Sequence, residues 1–203
     1  MSMCTTAPPT RYMQVTPPAG TVAFIDACAA PGHTEHLPTR DDGSERVPLP
    51  FPFRYWATDH PAGTQVNVCT NGWMSLDGST LASLSGTVPS TTTPNAVLAP
   101  HWGDNYTRGP ICVATVGTAP NRQFVVQWND THYCCTPGTV SNTYEVILTE
   151  GSNVIDFVYA TMSGTRAQTM GIENHTGTMG INACGTGTCI PATGQRVRFL
   201  PIP

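Results

Sequence analysis

Proline, glycine and threonine recur so densely that they interrupt every window long enough for three helical turns, and this excludes helix as the main architecture. Glycine and proline contribute 19 residues each. What survives between them is short runs of period-two alternation. Val66 and Val68 alternate with Gln65 and Asn67, and Asn71-Gly72 then separates that run from Trp73, Met74 and Leu76, as a tight hairpin turn requires. Phe124, Val126 and Trp128 share one face of a strand, and Tyr144, Val146 and Leu148 share one face of another. After the turn residues 150–153, Ile155, Phe157 and Tyr159 alternate with Val154, Asp156 and Val158. The last strand, Gln195 to Leu200, sets Val197 and Phe199 inward and Arg196 and Arg198 outward.

These elements predict an all-β fold, a jelly-roll-like β-sandwich braced by disulfides. At 203 residues, one domain fits the chain better than two. Residues 1–46 read as an N-terminal arm and loop, part of the domain or packed on it, and residues 47–203 as the sandwich. Two stretches, 29–50 and 77–95, read as long loops and are the places to look for partner contacts.

Eight cysteines, an even number, point to an oxidising compartment: Cys4, Cys28, Cys69, Cys112, Cys134, Cys135, Cys184 and Cys189. Their spacing is poor for zinc, which favours repeated C-x2-C pairs. Cys184 and Cys189 are placed to close the loop between them. A Cys4–Cys28 bridge would pin the arm and leave Cys69 and Cys112 to meet Cys134 and Cys135, with a vicinal Cys134–Cys135 disulfide as the alternative. Residues 1–20 carry Pro8, Pro9, Pro17 and Pro18 and no apolar run, so the numbering is expected to describe a mature chain. No segment approaches the roughly 18 consecutive apolar residues of a membrane helix, and no direct membrane insertion is expected.

Charged residues make up 11% of the chain, and the net charge of −4 contains no basic cluster. Nucleic acid and anionic membranes are therefore not expected partners. Nine arginines and no lysine remove P-loop, Schiff-base and lysine-isopeptide chemistry together. The sequence holds no G-x-S-x-G, H-E-x-x-H, G-x-x-x-x-G-K or G-x-G-x-x-G, and no catalytic residue is assigned.

Five weaker constellations remain. His33, Glu35 and His36 have metal-binding chemistry, but a proline-flanked loop offers no helical face to align the imidazoles. Asp104 and Asn105 could join Asp130 in an oxygen site for calcium, although Asx side chains in turns more often bond their own backbone. His101, His132, Asp104 and Asp130 form the one defensible hydrolase grouping. Trp73, Trp102 and Trp128 could stack on sugars or fill a core. Asn105, Asn129 and Asn174 stand in N-x-T sequons.

Six segments in register, Gln65 to Leu76, Val97 to Asp104, Arg122 to Asn129, Thr143 to Leu148, Asn153 to Tyr159 and Gly171 to Gly177, resemble the nidogen-type (NIDO-like) β domain of bacterial secreted and surface proteins. The likeness spans roughly residues 47–180. After Trp102, where such domains often carry an acidic pair, this chain has Gly103-Asp104. The resemblance implies an extracellular or cell-surface β-sandwich involved in adhesion, with no catalytic residues to carry over. The expectation is a structural or adhesive protein, including the repeating subunit of a surface filament or matrix, whose partners are copies of itself or other surface proteins. A carbohydrate-binding module that takes glycans is the alternative, and a hydrolase ranks below it. No cofactor is expected beyond calcium.

Overall fold

The computed structural model describes residues 11–18, 22–135 and 138–203, which contain strands and no helix. In chain order the strands are β1 (Arg11–Val15), β2 (Thr34–His36), β3 (Ser44–Pro48), β4 (Phe53–Tyr55), β5 (Thr58–His60), β6 (Gln65–Cys69), β7 (Trp73–Ser75) and β8 (Val97–Trp102). They continue with β9 (Asn105–Thr107), β10 (Ile111–Val116), β11 (Gln123–Tyr133), β12 (Asn142–Thr149), β13 (Ile155–Met162), β14 (Thr169–Glu173), β15 (Gly180–Asn182) and β16 (Arg196–Ile202).

One sheet runs β1-β16-β13-β12-β11-β10-β2, with β9 added on β11, a second runs β15-β14-β8-β7-β6-β3, and β4-β5 form a separate two-stranded hairpin. All pairings are antiparallel. The first sheet is built around a meander in which each strand meets the next: Phe124 lies opposite Leu148, Val126 opposite Val146, and Trp128 opposite Tyr144. Val146 in turn faces Phe157, and Phe157 faces Val197. These predicted inward residues meet Val66, Val68, Met74, Leu98 and Ile172 of the second sheet in one core. Each such side chain contributes roughly 1.5–3 kcal/mol through burial.

Several alternate positions of the first sheet are buried rather than turned to water. Val125, Ile147 and Val158 form a second apolar layer on the outer face of the first sheet, closed over by Val22, Ala27 and their neighbours. Two buried polar side chains pin that cover: the Ile25 amide donates to Glu145 Oε1 at 3.0 Å, and the Ala27 amide to Gln127 Oε1 at 2.6 Å. The predicted outward arginines take part too. Arg196 donates to the Val22 carbonyl, and Arg198 forms two hydrogen bonds, at 2.7 and 3.0 Å, to the buried carboxylate of Asp156. On the second sheet, Trp73, Val97, Ala99 and Trp102 form a third layer under Val88 and Ala82. The indoles of Trp73 and Trp102 both donate to the Ser83 carbonyl, at 3.1 and 3.0 Å. The 77–95 loop is thus a fitted cover for this face.

The 29–50 stretch is not one loop. It contains β2, which edges the first sheet beside β10, and β3, which edges the second beside β6. With β1 paired to β16, the N-terminal region is built into both sheets.

The cysteine pairing overturns the expected Cys4–Cys28 bridge and the joining of Cys69 and Cys112 to Cys134 and Cys135, and it shows the expected Cys184–Cys189 closure and the vicinal alternative. Cys28 joins Cys112, which ties the cover segment to β10, and Cys134 joins its neighbour Cys135. Cys184 joins Cys189 and closes the loop between them. Among the described residues Cys69 is a free, fully buried thiol, and Cys4 lies outside the described residues.

Candidate functional site

One corner of the molecule gathers more chemically active side chains than its surroundings. The end of β11 runs antiparallel to β9, with Thr131 opposite Thr107, His132 opposite Tyr106 and Tyr133 opposite Asn105. The turn before β3 is fastened to the same place, since Arg40 and Thr107 exchange backbone hydrogen bonds at 3.1 and 2.9 Å. The Thr107 hydroxyl also donates to the Leu37 carbonyl at 2.7 Å. This brings Asp41 and Asp42 against Asp104 and the two cysteines that follow β11. The Cys134 amide donates to the Asp104 carbonyl at 2.9 Å, which holds the disulfide in place.

The corner opens on a cavity of about 410 Å³ lined by Thr39, Asp41, Tyr106, Arg108, His132 and Cys135. The Tyr106 and His132 rings lie 4.9 Å apart and form one wall. Asp41, Asp42 and Asp104 each offer a carboxylate oxygen within 4.8 Å of the others. Burial and the charges of Asp42 and Asp104 raise the Asp41 carboxyl above its ordinary value, while His132 pulls it down.

A bulge in β11 between Trp128 and Thr131 turns Asp130 aside with φ of +56°. Its carboxylate receives two bonds from Arg108, at 2.7 and 3.1 Å. Burial works to raise the Asp130 carboxyl, but the Arg108 bonds and charge outweigh it and hold it low.

The expected calcium trio is therefore not brought together. Asp130 is bound to Arg108, and the Asn105 amide is fully buried, donating to the His101 carbonyl at 3.0 Å and to Gln168 at 3.1 Å. The oxygens beside Asp104 belong to Asp41 and Asp42, which the sequence reading missed. An adjacent aspartate pair was the available signal.

The hydrolase grouping also comes apart. Among the described residues, no hydrogen bond joins any two of His101, His132, Asp104 and Asp130. Burial pushes the His101 imidazole down to about 3. It sits neutral beside Tyr133 and Tyr144. His132 is bonded through Nδ1 to the Tyr133 carbonyl at 3.1 Å.

His33, Glu35 and His36 do not converge either. His36 pairs with Glu45 at 2.8 Å, while His33 contacts the Ala30 carbonyl at 2.9 Å and lies 3.6 Å from Glu35. Strand alternation sends positions 35 and 36 to opposite faces. Trp73, Trp102 and Trp128 are buried, so they offer no platform for sugars. Asn105 has no room for a glycan, and Asn174 uses its side-chain oxygen to close its own turn, accepting from Thr178 and Met179 amides. Asn129 is the sequon asparagine that is partly open.

The model of the NIDO-related family matches residues 18–201. The chain belongs to that family. The match covers the 47–180 likeness read from the sequence and extends beyond it at both ends, taking in the cover segment 22–30, β2, β3 and β16. As a NIDO-related, disulfide-bearing sandwich it is an extracellular type of protein. Among the described residues no helix is long and apolar enough to cross a membrane. Comparison with curated proteins and with solved structures finds no match.

Proposed function

We propose that this NIDO-related chain is a structural or adhesive protein of the extracellular space, a binding module without catalysis, whose partners are other surface proteins or further copies of itself. The observation that carries this reading is the pair of fitted covers over the outer faces of the two sheets. With both broad faces closed by 22–30 and 77–95, contacts with a partner fall to the strand edges and the rim. Among the described residues β1 pairs with β16 alone and stands at the edge of its sheet, with Arg11, Met13 and Gln14 exposed. An unpaired edge is the natural place for a strand of another molecule to add. The β2 and β3 edges are short and carry Glu35, Glu45 and Arg46, a charged form that resists indiscriminate pairing.

The test is electron microscopy and sedimentation of the oxidised, secreted protein. Oligomers or filaments that Met13→Lys disperses would support edge pairing. Monomers alone at high concentration, with no binding to surface or matrix proteins, would overturn the proposal.

A further inference from the structure

Among the described residues, two groups of side chains are close enough to share a metal ion, and one of them includes both vicinal cysteines: Asp41, Cys134 and Cys135, with one donor atom from each within 4.8 Å of the rest. We propose that opening the Cys134–Cys135 disulfide creates a binding site for a soft, thiol-seeking divalent cation, with the two sulfurs and an Asp41 oxygen as its ligands.

Three observations support this. First, Asp41 faces the disulfide without a proper partner. Its Oδ2 lies 3.4 Å from Cys134 Sγ, and its Oδ1 is closed off from solvent with no hydrogen-bond donor among the described residues. A disulfide sulfur has no proton to donate, so among the described residues neither carboxylate oxygen has a cation or donor. A thiol at Cys134 would supply one, and a metal ion would satisfy both.

Second, the charge arrangement favours a cation. Asp42 and Asp104 each place a carboxylate oxygen within 4.8 Å of one on Asp41, and a divalent charge would offset the repulsion among them. The set of two thiolates and one carboxylate is soft and suits Zn²⁺ or Cd²⁺ better than Ca²⁺.

Third, this is the disulfide placed for such use. Cys135 is exposed and Cys134 partly so, which admits a reductant. Cys112 is fully buried, and the Cys184–Cys189 loop brings no carboxylate into a ligand group. The bond from the Cys134 amide to the Asp104 carbonyl would keep the first thiol beside Asp41 after reduction.

The chemistry balances with an external dithiol as reductant. Its thiolate attacks one sulfur, the Cys134–Cys135 bond breaks, and the donor leaves as a disulfide. Two electrons and two protons pass to the protein, and the cation then displaces both thiol protons. In an oxidising compartment the site stays closed, so metal binding reports on local reduction.

Cd²⁺ alone is the probe. Protein reduced with a phosphine and desalted without oxygen should bind one ion per chain, with the ultraviolet charge-transfer band of cadmium thiolate, and oxidised protein should show neither. Asp41→Asn should weaken binding roughly tenfold or more while leaving both thiols in place. The double variant Cys134→Ser/Cys135→Ser should lose the ion, and Cys184→Ser/Cys189→Ser should keep it. Circular dichroism of each variant verifies folding. Equal binding by oxidised protein, binding that survives loss of Cys134 and Cys135, or an unchanged affinity in the Asp41 variant would overturn the proposal.

Discussion

His60 and His175 meet nitrogen to nitrogen, with Nε2 atoms 3.0 Å apart. Their ring centres are 5.0 Å apart and their planes differ by 19°, so the rings join at their edges in nearly one plane, as a single shared proton requires. The contact clamps the end of β5 to the turn after β14, across 115 residues of sequence. Burial and the neighbouring His175 push His60 down to about 4, and burial lowers His175 as well, although Asp59 and Asp77 oppose the two shifts. In the unfolded chain both rings titrate at the ordinary value. Stability from the pair is therefore complete above about pH 6.5 and is lost as pH falls through the depressed folded values. Urea unfolding measured from pH 7.5 to pH 4 should show this decline. His60→Asn should lower stability at pH 7.5 by about 1 kcal/mol and make the decline shallower. An unchanged slope would count against the shared-proton contact.

The cover over the first sheet has the opposite pH sense. Burial pushes the Glu145 carboxyl up to about 8, with the Ile25 amide opposing, so the group is protonated at neutral pH. A raised carboxyl stabilises the fold below its unfolded value, and that contribution disappears as pH rises through about 8. Glu145→Gln keeps an oxygen for the Ile25 amide and cannot ionise. The variant should match wild type near pH 5 and exceed it in stability at pH 9. Equal stability at both pH values would argue that Glu145 is better solvated than its position implies.

The inward faces of the central strands were legible in sequence because alternation marks them directly, as in Phe124-Val125-Val126-Gln127-Trp128. The outer layers were not, for a physical reason visible in the same run. Val125 and Gln127 occupy positions that alternation assigns to solvent, and only a distant segment, 22–30, determines that they are buried. Glu145 and Asp156 misled in the same way, since a carboxylate on a strand reads as exposed until its amide or guanidinium partner is known. The site corner depended on still longer connections. Asp41 reaches Cys134 because Arg40 bridges Thr107 and Thr107 pairs with Thr131, contacts that no local pattern records. Cysteine number announced bracing, whereas the partner of Cys28 lay 84 residues away.

That bridge gives a direct test of how much the cover matters. Cys28–Cys112 closes a loop long enough that chain entropy alone assigns it about 4.5 kcal/mol of stability. Cys28→Ser/Cys112→Ser should approach that loss in denaturant unfolding, and amides 22–30 should exchange with solvent faster than those of β12. Loss of protection there with β12 unchanged would show that the cover opens as a separate unit. A loss below about 1 kcal/mol would mean that the hydrogen bonds to Glu145 and Gln127 hold it without the disulfide.

The turn between β6 and β7 depends on one glycine for two separate reasons. Gly72 has φ of +75°, a left-handed conformation that costs side-chain-bearing residues, and its amide donates to the Cys69 carbonyl at 3.2 Å. It also lies against β8, so that a Cβ would fall 2.0 Å from the His101 carbonyl oxygen and 2.7 Å from the Tyr144 hydroxyl. Neither neighbour can retreat cheaply: one is backbone, and the other is a fully buried ring between the two sheets. Gly72→Ala should therefore cost about 3 kcal/mol or more in urea unfolding, well above the conformational penalty alone. Gly63, with φ of +87° and nothing within 4 Å of an added Cβ, separates the two contributions. Gly63→Ala should cost about 1 kcal/mol. If the two variants lost equal stability, close packing of the hairpin against β8 would be refuted.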